Sequence, residues 1–234
     1  MILKKHIPNT ITLMNLFCGC IALDFAANNQ FEMAFLLVCI GIFLDFFDGF
    51  FARLFKVSSP LGLQLDSLAD MVTSGVVPGY VMFAMLKSST DNVLIPYFGF
   101  IITLGACFRL ANFNIDTRQT DSFIGLPTPA NTLFVMSLPL ILSQYNSIFI
   151  LEMFSNQWFL MGISVLSAYI MNAEIPLFSL KIKQFSLHKN LLQIVFLVGS
   201  FFMLLVFKYL GVAVVIVFYV LLSIFVRFFS KKII

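Results

Sequence analysis

Eight apolar stretches of this chain approach the length of a membrane-crossing helix, and they limit its fold more than any other feature. A helix needs about 20 mostly apolar residues to cross a bilayer. The stretches are Ile11–Ala27, Met33–Leu54, Leu65–Leu86, Val93–Ala111, Pro129–Leu142, Trp158–Met171, Leu191–Phe207 and Val212–Phe228. None shows the alternation of a strand, and lipid offers an open strand no partners for its backbone. The expected fold is therefore all-α, a polytopic transmembrane bundle of about eight helices. Residues 143–157 are read either as a loop or as an extension of a neighbouring helix.

Composition agrees. Charged residues make up 11% of the chain, where a soluble domain carries about 25%. The net charge of +3 gives no reason to expect a nucleic-acid partner. Cys18, Cys20, Cys39 and Cys107 all fall inside apolar runs and read as small buried hydrophobes. The N-terminus lacks a cleavable signal, so the first run is expected to be retained. Basic residues set the orientation. With the N-terminus inside and eight alternating helices, 12 of the 14 Lys and Arg residues fall on the cytoplasmic side, leaving Lys87 and Lys208 outside. Both termini are thus expected in the cytoplasm, and His6 and His188 beside the headgroups.

Against this apolar background four acids stand out. The second run ends with Asp45 and Asp48, three residues apart, and the third begins with Asp66 and Asp70, four apart. Each pair falls on one helix face. The short turn at Lys56–Pro60 makes the two helices antiparallel neighbours, so the pairs can face each other. Carboxylates that close repel, and a divalent cation relieves the repulsion. All-oxygen ligands select hard ions. Gly49 and Ala52 leave room on the same face, and Arg53 offers a fork of donors to a phosphate oxygen.

The stretch Asp45–Asp70 resembles the signature of the CDP-alcohol phosphotransferases, D-x2-D-G-x2-A-R-x8-G-x3-D-x3-D. Asp45, Asp48, Gly49, Ala52, Arg53, Gly62, Asp66 and Asp70 fill every fixed position. The resemblance implies that Asp45, Asp48, Asp66 and Asp70 hold two divalent ions, Mg²⁺ or Mn²⁺ with Ca²⁺ also compatible, on the pyrophosphate of a CDP-linked lipid. It implies that Asp70 is also the general base, that Gly49 and Arg53 contact the nucleotide, and that Ser59 lies near the CDP group.

Ile7–Leu16, with Pro8, Asn9, Thr10 and Thr12, is similar to the opening of the phosphatidylserine synthase subfamily. Leu65–Asp70, Phe108–Asn114 and Gly125–Ala130 continue the likeness. That subfamily usually carries a basic residue where Asn112 stands. The resemblance implies an enzyme that moves a phosphatidyl group from CDP-diacylglycerol to L-serine, releasing CMP. Asn9, Thr10 and Thr12 would seat the cytidine end. Arg109 suits the serine carboxylate, with Asn114 as an added contact, while Pro127 and Pro129 shape a loop. Residues 1–176 would form the catalytic bundle and 177–234 a transmembrane hairpin of the same domain. A homodimer is implied, in the inner (cytoplasmic) membrane among its lipids, with the active site facing the cytoplasm. Rival readings are another CDP-alcohol phosphotransferase, making phosphatidylglycerol phosphate or an inositol lipid, and from other classes a cation transporter or an intramembrane aspartyl protease.

Overall fold

The computed structural model describes residues 2–57, 59–116, 124–145, 147–178 and 191–230. Arg118, Lys181, Lys183, Lys189, Lys231 and Lys232, which carry much of the orientation argument, lie outside the described residues, as does His188. The helices are α1 (Ile2–Ala27), α2 (Phe31–Phe55), α3 (Pro60–Asp70), α4 (Val77–Ser89), α5 (Ile101–Ile115), α6 (Thr128–Gln144), α7 (Ile148–Ser155), α8 (Gln157–Asn172) and α9 (Leu191–Ser230). No strand occurs among the described residues, apart from a single bridge between Ile124 and Pro176.

Five of these stretches are long and apolar enough to cross a membrane, or six if the bent pair α7–α8 counts as one. Their outward faces are apolar. Phe17, Phe43, Leu104 and Trp158 are each more than 60% exposed, as expected for helices surrounded by lipid rather than water. Cys20 and Cys107 also lie on exposed positions, not in the interior expected for them. A thiol is apolar enough to face lipid, so burial is not required there.

Several run boundaries differ from expectation for local reasons. The third run is one span, Pro60–Ser89, made of α3, a π-helical segment at Met71–Val76, and α4. The fourth begins with a 3-10 segment, Ile95–Phe100, before α5. Residues 143–157 form neither a pure loop nor an extension. They contain α7, bent by 70° from α8 at Asn156, whose side-chain oxygen caps α8 by accepting from the Trp158 and Phe159 N–H groups. At 40 residues, α9 would be about 60 Å long if straight, twice the hydrocarbon thickness. It breaks at Lys208, where φ is 47° and ψ is −116°. The arms fold together, stacking Phe196 on Phe218 with ring centroids 6.1 Å apart. The last two runs are therefore two arms of one hairpin.

The turn between α2 and α3 has a clear origin. Lys56 takes a left-handed conformation (φ 55°), and its N–H turns back to the Ala52 and Arg53 carbonyls. Ser59 then caps α3, accepting from the Gly62 N–H at 3.0 Å, and Pro60 occupies the first helical turn. The chain reverses in a few residues and sets α3 antiparallel to α2. Close packing against α1 depends on Gly41, where a Cβ would lie 2.8 Å from Asn15 Oδ1 and 2.9 Å from Thr73 Cγ2. Only a residue without a side chain lets the helices approach this closely.

One end of the bundle gathers the second half of α3 and the C-termini of α5, α8 and α9. Asn114 Nδ2 donates to Ser67 Oγ at 2.8 Å, joining α5 to α3. Leu126 N–H donates to the Ile170 carbonyl and Gly125 N–H to the Ile175 carbonyl. Arg227 Nη1 donates to the Glu174 carbonyl at 3.1 Å. Gly125 sits at φ +77° in this seam, with no room for a Cβ against the Met171 and Ala173 carbonyls. Both the positive φ and the close approach require glycine.

Candidate active site

Asp45 and Asp48 leave the last turns of α2 toward α3, and Asp66 leaves α3 toward α2. Their carboxylate oxygens lie within 4.8 Å of one another. Asp48 is buried, and the other two are partly buried. Asp70, one turn deeper, falls outside this triad but meets the Asp45 carboxyl, which also meets that of Asp66. The two pairs do face each other across the antiparallel helices, in one connected acidic cluster.

Helix α1 supplies the polar contacts for that cluster. Thr12 Oγ1 lies within hydrogen-bond distance of two acceptors, Asp48 Oδ2 at 2.5 Å and the Pro8 carbonyl at 3.1 Å, and the closer one is Asp48. Asn15 Nδ2 donates to Asp70 Oδ1 at 3.2 Å. Thr73, in the π segment, donates to the Asn15 carbonyl at 3.2 Å. Asn15 is completely buried, so this amide acts where water cannot replace it. The sequence reading missed Asn15. The available signal was an amide inside an apolar helix, which must find a partner there.

Beside the cluster lies a cleft of about 170 Å³, lined among others by Asn9, Thr12, Asp48, Gly49, Ser59 and Asp66. Asn9 Oδ1 sits over Gly62, 3.2 Å from where a Cβ would be. Gly49 has nothing but the Arg53 guanidinium within 4 Å of its missing Cβ, so this wall is open to a ligand. Arg53 itself is exposed at the rim and does not line the cleft. Thr10 is turned away, its hydroxyl bonded to the His6 carbonyl at 3.0 Å. Of the residues expected near the nucleotide, Asn9, Thr12, Gly49 and Ser59 therefore come together, and the Thr12 hydroxyl lies against Asp48.

Arg109 and Asn114 do not share a site. Asn114 faces Ser67 on α3. Arg109, only 7% exposed, lines a separate polar cavity of about 330 Å³ with Asn112, Asp116, Asn172 and Glu174. Its guanidinium lies over the Phe113 ring, 5.8 Å from the centroid.

A family model described as CDP-alcohol phosphatidyltransferase matches residues 5–171. The chain belongs to that family. It is 33% identical over 192 residues to a CDP-diacylglycerol–serine O-phosphatidyltransferase of Helicobacter pylori, covering 81% of this chain and 79% of that protein. It is 38% identical over 129 residues to the enzyme of the same name from Bacillus subtilis, covering 53% of this chain and 70% of the relative. With the enzyme of that name from Saccharomyces cerevisiae it shares 32% identity over 154 residues, 59% of this chain and 55% of the relative. The chain is therefore a membrane-embedded phosphotransferase of lipid synthesis, of a family that uses divalent metal ions. The donor set fits such ions: three carboxylates converge, and neither a thiol nor an imidazole stands among them.

Proposed function

We propose that this family member transfers the phosphatidyl group of CDP-diacylglycerol to the hydroxyl of L-serine, giving phosphatidylserine and CMP. The observation that carries the proposal is the cluster of Asp45, Asp48 and Asp66, with oxygens within 4.8 Å, placed beside a cleft and next to an Asp70 held by Asn15. The names of the relatives supply the acceptor.

In this reading the CDP end occupies the cleft, with Asn9 and Ser59 near the nucleotide and Arg53 reaching from the rim to a phosphate oxygen. Asp45, Asp48 and Asp66, with Asp70 contributing, would hold two Mg²⁺ or Mn²⁺ ions, which would supply neutralising charge at the pyrophosphate and at the attacking and departing oxygens. The serine hydroxyl attacks the phosphorus that carries the diacylglycerol. The bond from that phosphorus to the CMP oxygen breaks, and the serine proton passes to Asp70. Asn15 ties one Asp70 oxygen and fixes the rotamer in which the carboxylate meets the acceptor. Arg109 takes the serine carboxylate as a planar, two-point partner.

In this reading the end of the bundle that carries the acids faces the cytoplasm from the inner membrane, with both termini inside, and the excess of Lys and Arg expected on that side supports it. Residues 177–234 serve as a supporting hairpin. Packing of Tyr219 against Phe178, with centroids 4.9 Å apart, and the bond from its hydroxyl to the Phe178 carbonyl support that role.

The test is CMP release by the purified protein with CDP-diacylglycerol and, in turn, L-serine, glycerol 3-phosphate and inositol phosphate. Serine alone should drive turnover. Asp70→Asn should abolish turnover while protein level and membrane insertion persist. Turnover retained in this variant rejects Asp70 as the base, and turnover with another acceptor rejects serine.

A further inference from the structure

Pro78 lies inside the span Pro60–Ser89, eight residues after Asp70. A proline within a helix has no N–H for the carbonyl four residues back, and its ring pushes that carbonyl away. Here the carbonyl belongs to Ser74. The chain meets the misfit with the π turn at Met71–Val76, in which the Val77 N–H donates to the Val72 carbonyl, five residues back.

Inside a bilayer the freed carbonyls need donors from neighbouring helices. Thr103 Oγ1 on α5 donates to the Gly75 carbonyl at 2.9 Å. Gly79 leaves the room for this bond, since a Cβ there would collide with the Thr103 hydroxyl. Thr132 Oγ1 on α6 is 2.8 Å from the Thr128 carbonyl of its own helix and also stands 2.9 Å from the Ser74 carbonyl. Ser74 and Thr132 are fully buried, so no bulk water reaches this contact.

The turn changes which way the acids point. In an unbroken helix Asp70 would share a face with Val77 and Val81, seven and eleven residues on. Both valines are fully buried. A π turn holds one residue more than an α turn and so rotates the helix before it by about 100° relative to the helix after it. Val77 and Val81 can then stay in the core while α3 turns Asp66 toward Asp45 and Asp48, and Asp70 toward Asn15 on α1.

We propose that Pro78 and Thr103 are positioning residues for the acidic cluster: the proline forces the π turn, the threonine holds it, and the turn sets the register in which Asp66 and Asp70 meet α2. The proposal rests on the roles given to those acids above and deepens them. Neither residue touches the cleft beside the cluster. Both act through the rotation of α3.

The experiment uses the purified full chain and three readouts: kcat for CMP release, melting temperature in detergent, and a cross-link between α3 and α5. The last is made in Ser67→Cys/Asn114→Cys, at positions whose native side chains are 2.8 Å apart, with the shortest bis-methanethiosulfonate and no substrate present. Pro78→Ala returns an N–H to the Ser74 carbonyl and lets the span relax toward an α-helix. Its kcat should fall by about a hundredfold, the cost of an ångström-scale misplacement, while its melting temperature stays level or rises. Thr103→Val should lower kcat by about tenfold or more, and Thr103→Ser should restore it. The yield of the 67–114 link should drop severalfold in Pro78→Ala and in Thr103→Val. If kcat and the link stay at wild-type values in both variants, the proposal is overturned. It is equally overturned if kcat falls only in step with melting temperature, with the link unchanged and no rescue by Thr103→Ser. Because the link is read without substrate, a wild type that releases no CMP with serine overturns the proposed reaction and leaves the rotation of α3 to be judged on the link.

Discussion

Replacing Thr12 by valine separates the role the structure gives this residue from the one its position in the sequence suggests. Valine keeps the shape and removes one hydroxyl. In the structure that hydroxyl donates to Asp48 Oδ2 at 2.5 Å, and the two residues are 3% and 6% exposed. A hydrogen bond to a charged group contributes about 1.5–3 kcal/mol, and burial prevents water from taking its place. Interhelical hydrogen bonds in bilayers average lower, about 0.6 kcal/mol, which sets the floor. At about 1.4 kcal/mol per factor of ten, the range is roughly threefold to a hundredfold. The upper part matches the 10–100-fold loss of metal affinity typical when a ligand loses its outer partner. The assay is serine-dependent CMP release from chelator-stripped enzyme as Mg²⁺ is added back. Thr12→Val should move the half-saturating Mg²⁺ concentration up by about 10–100-fold, with a plateau close to wild type, and Thr12→Ser should sit near wild type. A midpoint that stays in place while KM for CDP-diacylglycerol rises would refute the reasoning, because the hydroxyl would then serve the nucleotide and not the metal ligand.

Two glycine substitutions test the frame around the site. Gly41→Ala puts a methyl 2.8 Å from Asn15 Oδ1 and 2.9 Å from Thr73 Cγ2. It should cost about 1–3 kcal/mol as an overpacked contact, seen as a lower melting temperature in detergent, and should lower kcat by displacing Asn15 from Asp70; an unchanged melting temperature would contradict the packing. Gly125→Ala must hold φ at +77° and meet the Met171 carbonyl, for about 1 kcal/mol or more from the backbone alone. Its effect should appear chiefly as a raised KM for serine, with KM for CDP-diacylglycerol near wild type.

The acidic cluster was legible in the sequence because each of its determinants is local. Spacings of three and four put Asp45 with Asp48 and Asp66 with Asp70, and a turn marked by Ser59 and Pro60 folds one pair onto the other. The helical runs were legible because lipid demands them. What the sequence hid depends on contacts between distant segments. Asn15 bonds to a residue 55 positions away, and periodicity along one helix says nothing about that partner. Likewise Thr12 reads as a nucleotide contact until Asp48, 36 positions on, is placed against it. The π segment after Asp70 leaves the apolar pattern of its span unbroken, so Met71–Val76 looked like ordinary helix. Arg109 and Asn114 lie close in sequence but on different faces of α5, and only the positions of α3 and α8 show which face serves which site.

The arrangement also explains why the polar contacts come from α1 and not from the helices that bear the acids. Carboxylates on α2 and α3 cannot hydrogen-bond to one another while both are charged, and lipid supplies no donors. A third helix must bring them. Helix α1 can do so only if it lies close to both, and Gly41 on α2 and the contact between Thr73 and the Asn15 carbonyl provide that closeness. Thr12 and Asn15 are three residues apart on one face of α1, and they reach Asp48 on α2 and Asp70 on α3 respectively. One turn of one helix thus ties the end of the cluster proposed to hold metal to the end proposed to accept the proton. A small rotation of α1 would move both donors together. In the proposed mechanism ligand geometry and base position are therefore coupled through this helix, although it carries none of the four acids.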